Sequence, residues 1–189
     1  MLKELVLKNR SYRRFYEEHK IKEEELRDLV DLARLAASGR NAQSLRYILI
    51  NDSAMREEVF KTLAWAGYLT DWVGPEEGER PAAYIIQLND EELSKNFFCD
   101  DGIAAENILL GAVEKGLGGC ILRAFKEKEL RAILNLPDRF KIVQVLGLGK
   151  PKEKVVITEM KGEDIKYWRD EQGVHYVPKR RLEDVILKF

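Results

Sequence analysis

The sequence predicts an α+β domain, a sheet covered by helices, on three observations. Amphipathic helical periods outnumber strand-like apolar runs, and the strands do not alternate with helices throughout in the βαβ manner. A length of 189 residues with 45% apolar side chains suits one hydrophobic core of ordinary size, so residues 1–189 read as a single domain. Lys plus Arg at 32 against Asp plus Glu at 33 leaves no global field to attract nucleic acid or anionic lipid, and any basic site must be local. No apolar run approaches the roughly 18 residues of a membrane span. Met1 to Lys8 alternates charge with leucine, unlike a secretory signal. The expectation is a cytoplasmic protein with neither a membrane nor a nucleic-acid partner. Cys99, Cys120, His19 and His175 are too few for paired CxxC motifs or a His-rich cage, so no disulfide framework and no protein-held metal is expected.

Taken in order, Ile21 to Ala37 places Leu26, Leu29, Val30, Ala33, Ala36 and Ala37 on one side and charge on the other, an amphipathic helix. Arg46 to Asn51 reads as a buried strand. Ser53 to Ala64 reads as a helix, with Ser53 able to accept from its first free amides. Gly74 to Pro81 has the composition of an exposed loop, and Ala82 to Leu88 is the next strand. Asp100 to Lys115 carries apolar residues around most of its circumference. Such a helix must be buried nearly all round, either as a central core helix or against a second copy of the chain. Gly116 can end it in a left-handed cap. Gly118 to Arg123 is a short strand, Lys126 to Leu134 a helix, and Lys141 to Leu148 a further apolar strand. After Pro151 the character changes: Ile165 to Arg169 and Val174 to Val177 flank a polar turn ending in Gly173, which predicts a hairpin. Pro178 opens a basic stretch ahead of a last amphipathic segment, Leu182 to Phe189, so residues 152–189 read as a C-terminal arm.

Nucleotide-binding and hydrolase signatures are missing: there is no GxxxxGKS/T, no GxGxxG opening a helix, no GxSxG and no HExxH. Four pieces remain. Asn9 to Phe15 (NRSYRRF) sets guanidinium forks and a hydroxyl close together, as a phosphate or another oxygen-bearing acceptor requires. Ala37 to Gln43 (ASGRNAQ) offers small residues for close backbone approach and amides that both donate and accept, as the edge of a heteroaromatic ring requires. Gly116 to Phe125 (GLGGCILRAF) ends a buried helix and enters a strand whose free amides could face a ligand, and Pro178 to Arg181 (PKRR) adds cationic donors. Singly, each also has an ordinary reading: a solvated basic face pairing with Glu17 and Glu18, a helix end, a core strand, and surface charge.

In this order and at these separations the four pieces resemble the nitroreductase family of FMN-dependent oxidoreductases, over essentially the whole chain. The resemblance rests on RSxRxF at Arg10 to Phe15, a small-rich NxQ segment at Ser38 to Gln43, the GLG strand entry, and PKxR at Pro178 to Arg181. It implies a mixed or antiparallel sheet flanked by helices, in a homodimer whose protomers exchange C-terminal arms and hold FMN at their interface. Arg10, Ser11 and Arg13 would then contact the phosphate and the pyrimidine side of the flavin, with Lys179 and Arg181 closing on the phosphate. Ser38, Gly39 and Asn41, with Gln43 in the same segment, would reach FMN from the partner. The backbone at Arg123 and Ala124 would approach flavin N5. Ser44, where the family often has proline, and Asn9, where a basic or imidazole side chain often stands, depart from the pattern, and Arg180 could replace Arg181.

The implied reaction passes reducing equivalents from NADH or NADPH through flavin N5 to a nitroaromatic, quinone or similar flat acceptor. Hydride transfer needs no protein nucleophile or base, so no catalytic side chain is expected; Arg13 is the candidate cation beside N1 and O2 of the ring. Related alternatives with the same cofactor are reductive dehalogenation, flavin modification, or flavin binding without turnover. Trp65, Tyr68 and Trp72 either line a substrate channel or pack a helix, and Cys120, in an apolar strand, reads as a structural thiol.

Overall fold

A computed structural model describes all 189 residues. Alternation of apolar residues builds the central sheet. Strand β3 (Ala83–Asp90) is buried along its whole length, with Ala83 and Ile85 entering one core layer and Tyr84 and Ile86 the other, as a strand with a period of two must when both faces are covered. β3 pairs antiparallel on one side with β2 (Leu45–Ile50) and on the other with β5 (Phe140–Pro151). The far edge of β5 takes β4 (Gly118–Leu122) at Val145–Gly149 and the short β1 (Phe15–Tyr16) at Lys150–Pro151. All these pairings are antiparallel, within the mixed or antiparallel sheet that the resemblance implies. β5 runs three residues beyond the predicted end because Gly118 pairs with Gly149 and β1 with Lys150–Pro151, and the Phe15 ring packs directly over Gly149, where a Cβ would sit 2.7 Å from it.

Two helices cover one face. α2 (Glu23–Arg34) packs Leu26, Leu29 and Ala33 against α4 (Asp100–Glu114) and the sheet. Their contact is close: a Cβ on Gly111 would meet a Leu32 methyl at 2.3 Å. α4 buries most of its circumference, but Ile103 and Glu106 stay exposed and Asn107 and Leu110 half-covered, so one stripe faces outward. Gly116 ends the helix at φ 74°, the left-handed conformation expected. α3 (Ser53–Phe60) and α5 (Glu127–Ile133) cover the other face over Val59, Trp65, Cys120 and Leu130.

Several local expectations shift. α2 is shorter than Ile21–Ala37, and α3 is capped by Asp52, whose carboxylate accepts from the Met55 N–H at 2.9 Å, not by Ser53. A charged carboxylate one residue earlier is the better acceptor for the free amides. An unanticipated helix, α1 (Leu2–Lys8), opens the chain and buries none of its own residues.

Residues after Pro151 form a second sheet. β6 (Val155–Glu159), which the sequence pattern missed, pairs parallel with β8 (His175–Lys179), and β7 (Trp168–Arg169) pairs antiparallel with β8 as the hairpin expectation requires. Gly173 at φ 78° makes the turn. Up to Lys179 this arm packs on its own chain. Beyond it a short α6 (Leu182–Val185) and the last residues leave Leu182, Leu187 and Phe189 exposed. No helix is long and apolar enough to cross a membrane.

Candidate functional site

A cleft of about 300 Å³ opens where the α1 exit, α4, β4 and β8 meet, at the lower end of the roughly 300–1,000 Å³ usual for ligand pockets. Each wall follows from local structure. The chain leaves α1 at Asn9, whose side-chain amide donates to Glu106 on α4 at 3.0 Å, and Arg10 turns back so that Nη2 donates to the Val6 carbonyl at 2.8 Å. Ser11 then lies alongside Gly119 in a parallel bridge, and the Tyr12 N–H donates to the Gly119 carbonyl at 3.0 Å. Gly119 has no room for a side chain on its other side: a Cβ there would stand 2.6 Å from the Gly147 carbonyl oxygen. Opposite, β8 turns alternate residues His175, Val177 and Lys179 toward the cleft.

The electrostatics of the cleft are one-sided. Arg10, Arg13 and Lys179 line it together, and none pairs with a carboxylate, whereas Arg14, Arg56, Arg80, Arg123 and Arg169 all do. Arg10 Nε is buried with no hydrogen-bond partner. The one carboxylate in the wall, Glu106, faces the Asn9 amide. Glu153 sits behind the cleft, accepting from the Arg13 and Arg14 N–H groups and pairing with Arg169 at 2.8 Å, which ties the N-terminal segment to the arm.

Thus Arg10, Ser11 and Arg13 near the start of the chain and Lys179 near its end converge on one cleft. Ser38, Gly39, Asn41 and Gln43 do not join them. They form a turn at the N-terminal end of α4, held by Asp100, which accepts from Ser38 Oγ at 2.7 Å and from the Gly39 N–H at 2.8 Å. Asp100 and Glu106 are six residues apart, roughly 9 Å along the helix. This turn keeps Arg40, Asn41 and Gln43 at φ 55°, 54° and 49°. Non-glycine residues there cost about 1–3 kcal/mol each and persist only where the surroundings impose them. Ser38 Oγ helps by accepting from the Gln43 N–H at 3.0 Å.

Arg123 and Ala124 follow β4, two of whose residues, Gly119 and Ile121, line the cleft, but neither Arg123 nor Ala124 lines it. Their backbone N–H groups have no protein acceptor. The Arg123 side chain stays exposed while donating to Gln144 at 2.9 Å and pairing with Asp101. Gln144 in turn donates to Gln87 at 2.6 Å, so two fully buried glutamines anchor the end of β4. Arg181 lies outside the cleft and pairs with Asp184 at 3.0 Å, and Arg180 pairs with Glu163.

None of the aromatic trio lines the cleft, and Tyr68 meets its wall only through Tyr167. The Tyr68 ring lies 5.0 Å from that of Tyr167, a lining residue, while Trp65 is buried beside Phe60 and Trp72 lies under the Arg169 guanidinium. Burial pushes the Cys120 thiol up to about 12, an inert structural group. Tyr167, His175, Glu106 and Glu153 escaped the sequence reading. The signal for His175 was the strand period: continuing the predicted strand to Lys179 sets His175 on the same face.

Comparison with known proteins follows this geometry. A family model described as "Nitroreductase family" matches residues 6–150. An Archaeoglobus fulgidus protein, provisionally named NADH dehydrogenase/NAD(P)H nitroreductase, is 28% identical over 149 residues, 75% of this chain and 80% of the relative. An iodotyrosine deiodinase of Thermotoga neapolitana is 24% identical over 168 residues, 81% of this chain and 90% of the relative. Among solved structures, an FMN-dependent nitroreductase of Clostridium difficile R20291 superposes with a TM-score of 0.63 at 22% identity, over 85% of this chain and 90% of the other, a likeness of fold.

Proposed function

Since the chain belongs to the nitroreductase family of oxidoreductases, we propose that the cleft is one half of an FMN site and that the protein passes reducing equivalents from NADH or NADPH to a flat acceptor such as a nitroaromatic or quinone. The observation that carries this reading is the convergence of Arg10, Ser11, Arg13 and Lys179 with no carboxylate to neutralise them. The cleft fits the group. An orphaned, buried guanidinium nitrogen on Arg10 calls for an oxygen acceptor, and planar forks beside a lysine are the donor set a phosphate takes. Arg10, Ser11 and Lys179 would hold the phosphate and Arg13 the pyrimidine side of the ring. The unpartnered N–H groups at Arg123 and Ala124 suit the N5 edge.

The remaining candidates need a second copy. In this reading Ser38, Gly39, Asn41 and Gln43 complete the site from a partner protomer, residues 152–189 act as the arm, and the exposed tail from Leu182 to Phe189 crosses to the partner. Arg181 would exchange Asp184 for the phosphate. When bound, FMN supplies the redox chemistry, and the protein supplies position, a cationic wall and an aromatic edge at Tyr68 and Tyr167. A second reading, reductive dehalogenation with the same cofactor, draws on the Thermotoga deiodinase.

The test is an absorption spectrum of the purified chain followed by anaerobic reduction with each nicotinamide and re-oxidation by candidate acceptors. Yellow protein that bleaches with NADH or NADPH and recovers with a nitroaromatic or quinone is expected. Recovery only with a halophenol selects the second reading, yellow protein inert to both nicotinamides indicates a binding protein, and a chain that cannot be loaded with FMN defeats the reading.

A further inference from the structure

Arg13 has three neighbours at its guanidinium, and none carries a negative charge. Nη1 donates to the Ser11 carbonyl at 3.2 Å and faces His175 Nε2 at 3.4 Å, and the Tyr167 ring lies 5.0 Å from the guanidinium carbon. A guanidinium has donors only, so Nε2 is the acceptor and His175 is neutral with its proton on Nδ1. The histidine is 1% exposed and Nδ1 has no partner, so that nitrogen serves no structural hydrogen bond. Tyr167 fixes the ring as well, its centroid 5.1 Å from that of His175. The nearby acid, Glu153, is taken up by two backbone N–H groups and by Arg169.

We propose that His175 is a positioning residue: it aims the Arg13 guanidinium along the cleft wall as an un-neutralised cation, so that this charge acts on the bound ligand and not on a protein carboxylate. A carboxylate in the same place would grip Arg13 more strongly but cancel its charge, whereas a neutral nitrogen fixes direction and leaves the charge intact. The strand period places the other end of the site. His175 and Lys179 share one face of β8, four residues and about 13 Å apart, which suits a ligand with a flat ring at one end and a phosphate at the other. Burial first, then the charges of Arg13 and Arg169, push the imidazole down to about 4, so the acceptor form persists at neutral pH. The proposal rests on the FMN reading above.

The experiment measures the two-electron midpoint potential of FMN bound to the full chain. His175→Phe, which keeps a ring and loses the acceptor, is expected to lower it by about 30 mV, a tenfold loss of preference for reduced over oxidised cofactor in a two-electron couple. His175→Gln, which keeps a neutral acceptor, is expected to stay near wild type. In an Arg13→Gln background His175→Phe should add nothing, because no cation remains to be aimed. An unchanged potential in His175→Phe, whatever Arg13→Gln does, overturns the proposal. Should His175→Phe not fold, NMR of the apoprotein decides. Arg13→Gln should raise the His175 titration midpoint from about 4, and an unmoved midpoint overturns the contact. A wild-type chain that takes up no FMN fails the functional reading instead, before any variant is compared.

Discussion

Arg13 and Arg14 are neighbours in sequence and opposites in the fold. Arg14 turns away from the cleft into a closed cluster, where its guanidinium grips both oxygens of Glu79 and Lys152 adds a second cation at 3.0 Å. Arg13 turns into the cleft and meets only a carbonyl, an imidazole and an aromatic face. Chain position is almost the same, so what separates a paired arginine from one left open is whether a carboxylate is within reach. The closed cluster joins the 74–81 loop to the N-terminal segment, while the open row leaves charge available to an anion.

The largest test of that contrast removes an open cation. Arg10→Ala or Lys179→Ala should weaken FMN binding by about 10- to 100-fold, as the loss of one charge-assisted hydrogen bond of roughly 1.5–3 kcal/mol predicts, and should leave the thermal midpoint of the apoprotein nearly unchanged. Fluorescence titration at fixed salt reads the first and calorimetry the second. Glu79→Gln should do the reverse: about 1–2 kcal/mol of stability lost, with FMN affinity within about twofold of wild type. Its pH dependence has a definite sign. The Arg14 hydrogen bond, with Lys152 and their charges, lowers the Glu79 carboxyl from 4.5 to about 2. Its contribution is therefore complete above pH 4.5 and lost as pH falls toward 2, so wild type and Glu79→Gln should converge in denaturant titrations at the acid end.

How much of this the sequence disclosed depends on whether the signal was local. The antiparallel core strands and α2 announce themselves by period, and Arg10, Ser11, Arg13 and Lys179 by the ordered motifs that resemble the nitroreductase family. The parallel β6–β8 pairing did not, because Val155 to Glu159 is half exposed and its partner is reached only through a turn and a hairpin. Strand period could have found His175 and Val177 once Lys179 was placed on the same strand. Glu153 and the Gln87–Gln144 pair give no such signal. Their roles are set by register across the sheet and by the fold of the arm, which bring together residues 57 and 139 or more positions apart.

Smaller effects sharpen the edge of the cleft. Tyr68→Ala should raise the acceptor KM about two- to tenfold, the loss of an aromatic contact of roughly 0.5–1.5 kcal/mol, without altering FMN affinity; steady-state kinetics on the loaded enzyme check it. Arg181→Ala should weaken FMN by no more than about twofold, well below Lys179→Ala, since contact with phosphate would require giving up Asp184.

The comparison that bears most directly on the open cations is the affinity of the apoprotein for FMN against riboflavin, which carries the same ring and no phosphate. Two charge-assisted contacts to phosphate predict FMN binding about 100-fold tighter or more, a gap that collapses in Arg10→Ala/Lys179→Ala. Equal affinity for the two flavins would contradict the assignment of Arg10, Ser11 and Lys179 to a phosphate.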